Sequence, residues 1–139
     1  MSAQPQNLAA ERPRSGRNRH VPFSHHLGIE VDQADGGTAV LHLTLAPHLR
    51  NNHGGGHGGV VTTLLDAAMA HAALSRQDYA REVVTVDLHV AFLAAATGDR
   101  LVGHGRATGG GHLVFLSEHR CELRDEAGSL IAGGGSFRD

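Results

Sequence analysis

From Val60 to Leu74 the chain is apolar at nearly every position. Val60, Val61, Leu64, Leu65, Ala68, Ala72 and Leu74 recur at helical spacing, with Ala or Met in most gaps. A helix over roughly 57–75 follows, apolar on all sides and therefore one that expects burial. Elsewhere the period is two. Residues 29–35 and 38–45 read as strands joined across Asp35-Gly36-Gly37, with Ala39, Leu41, Leu43 and Leu45 on one face. Four further strands are expected at about 82–94, 99–108, 112–125 and 129–137. Turn signals separate them at Thr97-Gly98-Asp99, Gly109-Gly110-Gly111 and Asp125-Glu126-Ala127-Gly128. Within the third of these, Glu118, Arg120, Glu122 and Arg124 alternate with Ser117, His119, Cys121 and Leu123, the pattern of a half-buried antiparallel strand. A short helical turn at 21–27 has Pro22 near its start. The layout is two strands, one long helix and a four-strand meander. That is an α+β domain whose helix needs a sheet wrapped around it.

Charge changes this picture at one point. Between Arg50 and Arg76 the only formal charge is Asp66, in the middle of the apolar helix. A buried carboxylate without a partner costs several kcal/mol, so it requires hydrogen bonds or an interface to supply them. The 139 residues suffice for one domain, expected at 21–139, after a polar and disordered leader at 1–20. The leader carries Arg12, Arg14, Arg17 and Arg19 against Glu11, so it is +3 while the body is -5, summing to the net -2. A basic arm so short reads as a solvated terminus, and no nucleic-acid partner is expected. All twelve basic residues are Arg, which removes Schiff-base chemistry and the P-loop lysine. Cys121 is the only cysteine, so an internal disulfide is excluded and inward packing on its strand is expected. With no apolar leader and no membrane span in view, a cytoplasmic protein is expected.

The helix is entered through Asn51-Asn52-His53-Gly54-Gly55-Gly56-His57-Gly58-Gly59. Gly58 and Gly59 fall where backbone N–H groups lack helical partners and the helix dipole is positive. Without side chains they let a foreign carbonyl approach closely, and Asn51 adds a polar group upstream. Such a place suits an oxygen that gains negative charge during reaction. Asp66 lies eight residues beyond Gly58, about 12 Å along the axis. That is too far for both to serve one reacting group. An antiparallel second copy of the helix closes the gap, bringing Asp66 of one chain to Gly58 of the other, twice per dimer.

These residues carry a resemblance. Asn51, His57-Gly58-Gly59 and Asp66, followed by Thr85-Val86-Asp87 at a strand start, are similar to the PaaI-type hotdog-fold acyl-CoA thioesterases, over roughly residues 21–138. The resemblance implies a hotdog fold, in which an antiparallel sheet wraps one long central helix. It also implies a homodimer, often paired into a homotetramer, and a reaction that hydrolyses a small, medium or aryl acyl-CoA. No metal or cofactor is implied, coenzyme A being part of the substrate. By motif, Gly58 matches the N–H donor to the thioester carbonyl and Asp66 the base or nucleophile from the opposite chain. Asn51 and His57 match pocket-lining positions. Gly59 adjoins the donor, and Thr85 matches a hydroxyl that can orient water. Gly111-His112 stands where many relatives have Gly-Arg, which weakens a phosphate contact there.

Other readings fit less of the sequence. Gly54-x-Gly56-x-x-Gly59 matches the dinucleotide fingerprint in form, but Pro47 and a polar loop replace its tight strand-to-helix turn. His53 and His57 stand four apart, yet they flank glycines and no Cys joins them as a zinc ligand. The remaining histidines, His25, His26, His42, His48 and His112 among them, are scattered, and His71 reads as a satisfied core or interface residue. Acyl-CoA dehydratases and hydratases of hotdog fold resemble Asp-x-Asn-Pro-x-His, and no Asn-Pro occurs here. A non-catalytic acyl-CoA-binding protein would bind CoA esters and release no thiol. Asp87 and His89 would share a strand face with Thr85.

Overall fold

The computed structural model describes residues 20–107, 118–124 and 130–137. The leader, the glycine turn with Gly111 and His112, and the Asp125–Gly128 turn lie outside the described residues, as do the side-chain faces of residues 118–130. A short helix α1 (Pro22–Leu27) precedes a hairpin of β1 (Glu30–Asp35) and β2 (Thr38–Thr44). A 3₁₀ turn at Pro47–Leu49 then leads to α2 (Gly58–Arg76). After it come β3 (His89–Phe92), β4 (Arg100–Ala107), β5 (Glu118–Arg124) and β6 (Leu130–Phe137). All six strands form one antiparallel sheet in the order β1-β2-β4-β5-β6-β3. This is the α+β hotdog arrangement, with α2 lying across the sheet.

The alternation in β2 does what its period requires. Ala39, Leu41 and Leu43 are buried, and Leu45 just beyond the strand is buried with them. They meet Val61, Leu64, Leu65 and Ala68 of α2, with Leu101 and Ile131 from the facing strands. The other face of β2 is polar: His42 Nδ1 lies 2.7 Å from Asp32 Oδ2 and its Nε2 3.1 Å from Glu30 Oε2.

How closely α2 lies on the sheet is decided by two glycines of β4. Gly103 and Gly105 are paired across the ladder with Leu41 and Ala39. A Cβ on Gly103 would stand 3.2 Å from Leu64 Cγ, and one on Gly105 would run into the Ala68 carbonyl. Helix backbone therefore rests directly on strand backbone, the close approach that only glycine permits. At its other end α2 stops at Gln77, after which Asp78 and Tyr79 are left-handed at φ 50° and 58°. Tyr79 N–H donates to Leu74 O, and its hydroxyl shares a 2.9 Å hydrogen bond with Nδ1 of the buried His71.

The expected 82–94 strand is shorter than its pattern. Only residues 89–92 pair, antiparallel with β6, while residues 82–88 carry no ladder. The register gives the reason: His89 stands opposite Gly135, so residues 82–86 run past Phe137, the last residue of β6, and β3 is the sheet edge with no neighbour on its far side within one chain. Val84 and Val86 are 77% and 75% exposed, an unusual fate for β-branched residues in an alternating segment.

Candidate active site

The loop entering α2 is held by hydrogen bonds to its own backbone. Asn51 N–H donates to Gly55 O, and the Asn51 Oδ1 accepts from the N–H groups of His53 and Gly55 at 2.9 and 3.1 Å. Gly56 N–H donates to Ala96 O and His57 N–H to Leu49 O. Arg50 clamps the outside: its Nε and Nη2 donate to Leu45 O, Nη1 to Gly54 O, and Nη2 also to Gly98 O and Asp99. The planar guanidinium thereby ties three stretches of chain together.

At the helix start His57 is the N-cap residue. Its Nδ1 accepts from Gly59 N–H at 2.9 Å, and its carbonyl accepts from Val60 and Val61. Histidine rarely caps; Ser, Asp and Asn are the usual choices. Of the first four N–H groups of α2, Gly58 alone has no acceptor among the described residues. The helix therefore presents one uncommitted donor at its positive end. Gly59, expected beside the donor, spends its N–H on His57.

Gly58 opens onto a cavity of about 460 Å³. Val61, Phe92, Ala94, Ala95, Ala96 and Ile131 supply its apolar wall, and Asn51, His53 and Thr97 its polar side chains. No carboxylate lines it among the described residues. His57, beside this space, is exposed and turned to Gly59 rather than being a lining residue.

Asp66 sits elsewhere on α2. It is half-buried, along a strip that includes Thr62 and Ala70, one turn either side. The expected all-round burial of the helix therefore stops at this strip within one chain. Thr85 Oγ1 donates to Asp66 Oδ1 at 2.6 Å, a short bond of the kind a charged acceptor makes. Asp66 Oδ2 has no protein partner among the described residues. Asp87 and His89, on the same segment as Thr85, are exposed.

One chain thus assembles two clusters. Asn51 and Gly58 line the cavity with His57 and Gly59 beside it, and Asp66 pairs with Thr85 two turns further along α2. Sequence reasoning did not single out Arg50, Phe92 or the Ala94–Ala96 wall. Arg50 marked the edge of an uncharged stretch, but its four acceptors are set by the fold. No helix among the described residues is long and apolar enough to cross a membrane.

A family model described as Thioesterase superfamily matches residues 53–132. A Halobacterium salinarum protein whose name proposes an esterase is 33% identical over 81% of this chain and 80% of its own length. The medium/long-chain acyl-CoA thioesterase of Salmonella typhimurium is 27% identical over 81% of each chain. Among solved structures, the Escherichia coli PaaI protein of the phenylacetic acid degradation operon superposes with a TM-score of 0.74. It is 25% identical and the match covers 86% of both chains.

Proposed function

The chain belongs to the Thioesterase superfamily, and from that premise we propose that it hydrolyses an acyl-CoA thioester at a site shared by two copies of the chain. Gly58 of one copy donates its N–H to the thioester carbonyl, and Asp66 of the other acts on the carbonyl carbon. One observation carries this reading. The cavity holds a free backbone donor but no carboxylate, while the only acid of α2 keeps one oxygen uncommitted on a half-covered strip.

The chemistry divides between the two groups. As a base, Asp66 takes a proton from water while the water oxygen bonds to the carbonyl carbon. The electron pair moves to the carbonyl oxygen, and the resulting oxyanion accepts from Gly58 N–H more strongly than the ground-state carbonyl did. Collapse breaks the C–S bond, and the sulfur leaves as a thiol with the proton that Asp66 carried. As a nucleophile, Asp66 bonds through a carboxylate oxygen to the carbonyl carbon, the C–S bond breaks and CoA leaves as a thiolate. Water then opens the acyl anhydride, restoring Asp66 and releasing the acid, whose proton the thiolate takes up. Under either role Thr85 fixes the carboxylate through Oδ1 and leaves Oδ2 to act. The second copy is proposed to cover Val84, Val86 and the Asp66 strip, so the working form is at least a homodimer. CoA enters as part of the substrate, and neither a metal nor a further cofactor takes part.

The test is thiol release from a panel of acyl-CoAs by the full chain and two variants. Asp66→Asn keeps an oxygen for Thr85 but removes the base, and should cost two orders of magnitude or more, roughly the scale of general-base catalysis. Gly58→Pro removes the one free N–H at the first helical position, where proline is tolerated. The preceding His57 has ψ 139°, already in the region proline demands of its neighbour. This variant should lose about 100-fold or more in turnover while melting near the parent temperature. A parent that binds acyl-CoA and releases no thiol would make the chain a binding protein instead.

A further inference from the structure

Resting on the acyl-CoA reading above, we propose that the cavity beside Gly58 holds the acyl group, that this group is uncharged, and that Phe92 limits its length. Among the described residues the lining contains neither Arg nor any acid, and its polar side chains are Asn51, His53 and Thr97, His53 being exposed. An acyl group ending in a carboxylate would leave water there with no permanent cation to meet it. An alkyl or aryl group replaces water against Val61, Ile131 and the three alanines at no such cost.

Phe92 is set apart from the rest of that wall. Val61 and Ile131 are 1% and 2% exposed, part of the core and fixed by it. Phe92 ends the edge strand β3 and is 56% exposed, although it lines the cavity. Its ring atoms Cε1 and Cζ each stand 3.7 Å from where a Cβ on Gly58 would be. A carbonyl seated on Gly58 N–H therefore places its first carbons alongside this ring. From there the chain continues past Ala94, Ala95 and Ala96, which carry no bulk to stop it. Among the described residues, the one large apolar side chain lining the cavity that the core does not need is Phe92.

The experiment reads size preference apart from catalysis. S-hexyl-, S-dodecyl- and S-(3-carboxypropyl)-CoA, thioethers that cannot be hydrolysed, are titrated calorimetrically into the parent, Phe92→Ala and Phe92→Leu. Thiol release from hexanoyl-, dodecanoyl- and succinyl-CoA is measured beside them. The parent should prefer the hexyl over the carboxypropyl ligand by roughly tenfold or more. Phe92→Ala should move the dodecyl-to-hexyl ratio by roughly tenfold in favour of dodecyl, with Phe92→Leu between. Because ratios are compared, a general loss of activity does not imitate the result. An unchanged ratio in Phe92→Ala, or equal binding of the carboxypropyl ligand, overturns the proposal. A parent that shows these preferences in binding but releases no thiol sinks the hydrolytic reading and upholds the acyl pocket; a parent with neither thioether binding nor thiol release overturns both.

Discussion

The junction at residues 50–59 and the edge at residues 82–93 are both short, and they are finished to different degrees. At the junction the chain satisfies itself. Arg50 holds three neighbouring stretches, Asn51 closes its own turn, and His57 caps α2, leaving Gly58 N–H as the one open group of that first turn. At the edge, Val84, Val86, Phe92 and Leu93 stand in solvent, and most of the segment has no ladder. A finished element with one open donor fits a binding group, because all other freedom has been removed around it. An unfinished apolar edge fits a surface that another molecule completes. Asp66 belongs to the second region through Thr85, although it sits on the same helix as Gly58.

The sharpest way to break this contrast is to damage each region in a different copy. Asp66→Asn and Gly58→Pro should each be inactive alone. After subunit exchange, half the dimers are mixed and each has one intact site of two, so about a quarter of parent activity should return. Assays of the mixture after mild denaturation and refolding give the answer, and no recovery would place both groups in one chain's site. Next in size is the edge itself. Val84→Asp with Val86→Asp should yield monomers by light scattering and remove nearly all thiol release, with circular dichroism unchanged. These side chains touch little within one chain, so dimers that survive the change would refute the edge as the interface.

Stability changes away from the edge are smaller and should leave the oligomer alone. Gly105→Ala forces a methyl into the Ala68 carbonyl, and should cost about 1–3 kcal/mol by urea unfolding, the scale of overpacking. The smallest change is His57→Ala, which frees Gly59 N–H from its cap. It should cost about 1 kcal/mol, and His57→Asn should restore much of it because Asn is a strong cap. A loss under His57→Ala that Asn cannot restore would point to a role for the imidazole beyond capping.

Much of the architecture is legible in residue order because it follows from periodicity. The α2 boundaries expected at 57–75 and found at Gly58–Arg76 rest on a continuous apolar pattern and a glycine entry. The β1–β2 hairpin follows from alternation about Asp35-Gly36-Gly37. The segment at 82–94 shows the limit. Its alternation has strand character, but pairing needs a neighbour, and the neighbour's presence is not written in the segment. The site divides likewise. The Asn51-to-Asp66 spacing drew attention to α2 and its entry loop, while Phe92 and the alanine wall came from a distant part of the chain and the acceptors of Arg50 from the fold.

The order of residues by itself determined an α+β chain, one apolar helix with a solitary acid, and a glycine entry exposing backbone donors. These are local properties, since side-chain period and backbone hydrogen-bonding capacity act over a few residues. Only the tertiary structure decided that Thr85 grips Asp66 across 19 positions and that Phe92 faces the donor. Those facts depend on which strands become neighbours, a matter of long-range packing that no short stretch of the chain encodes.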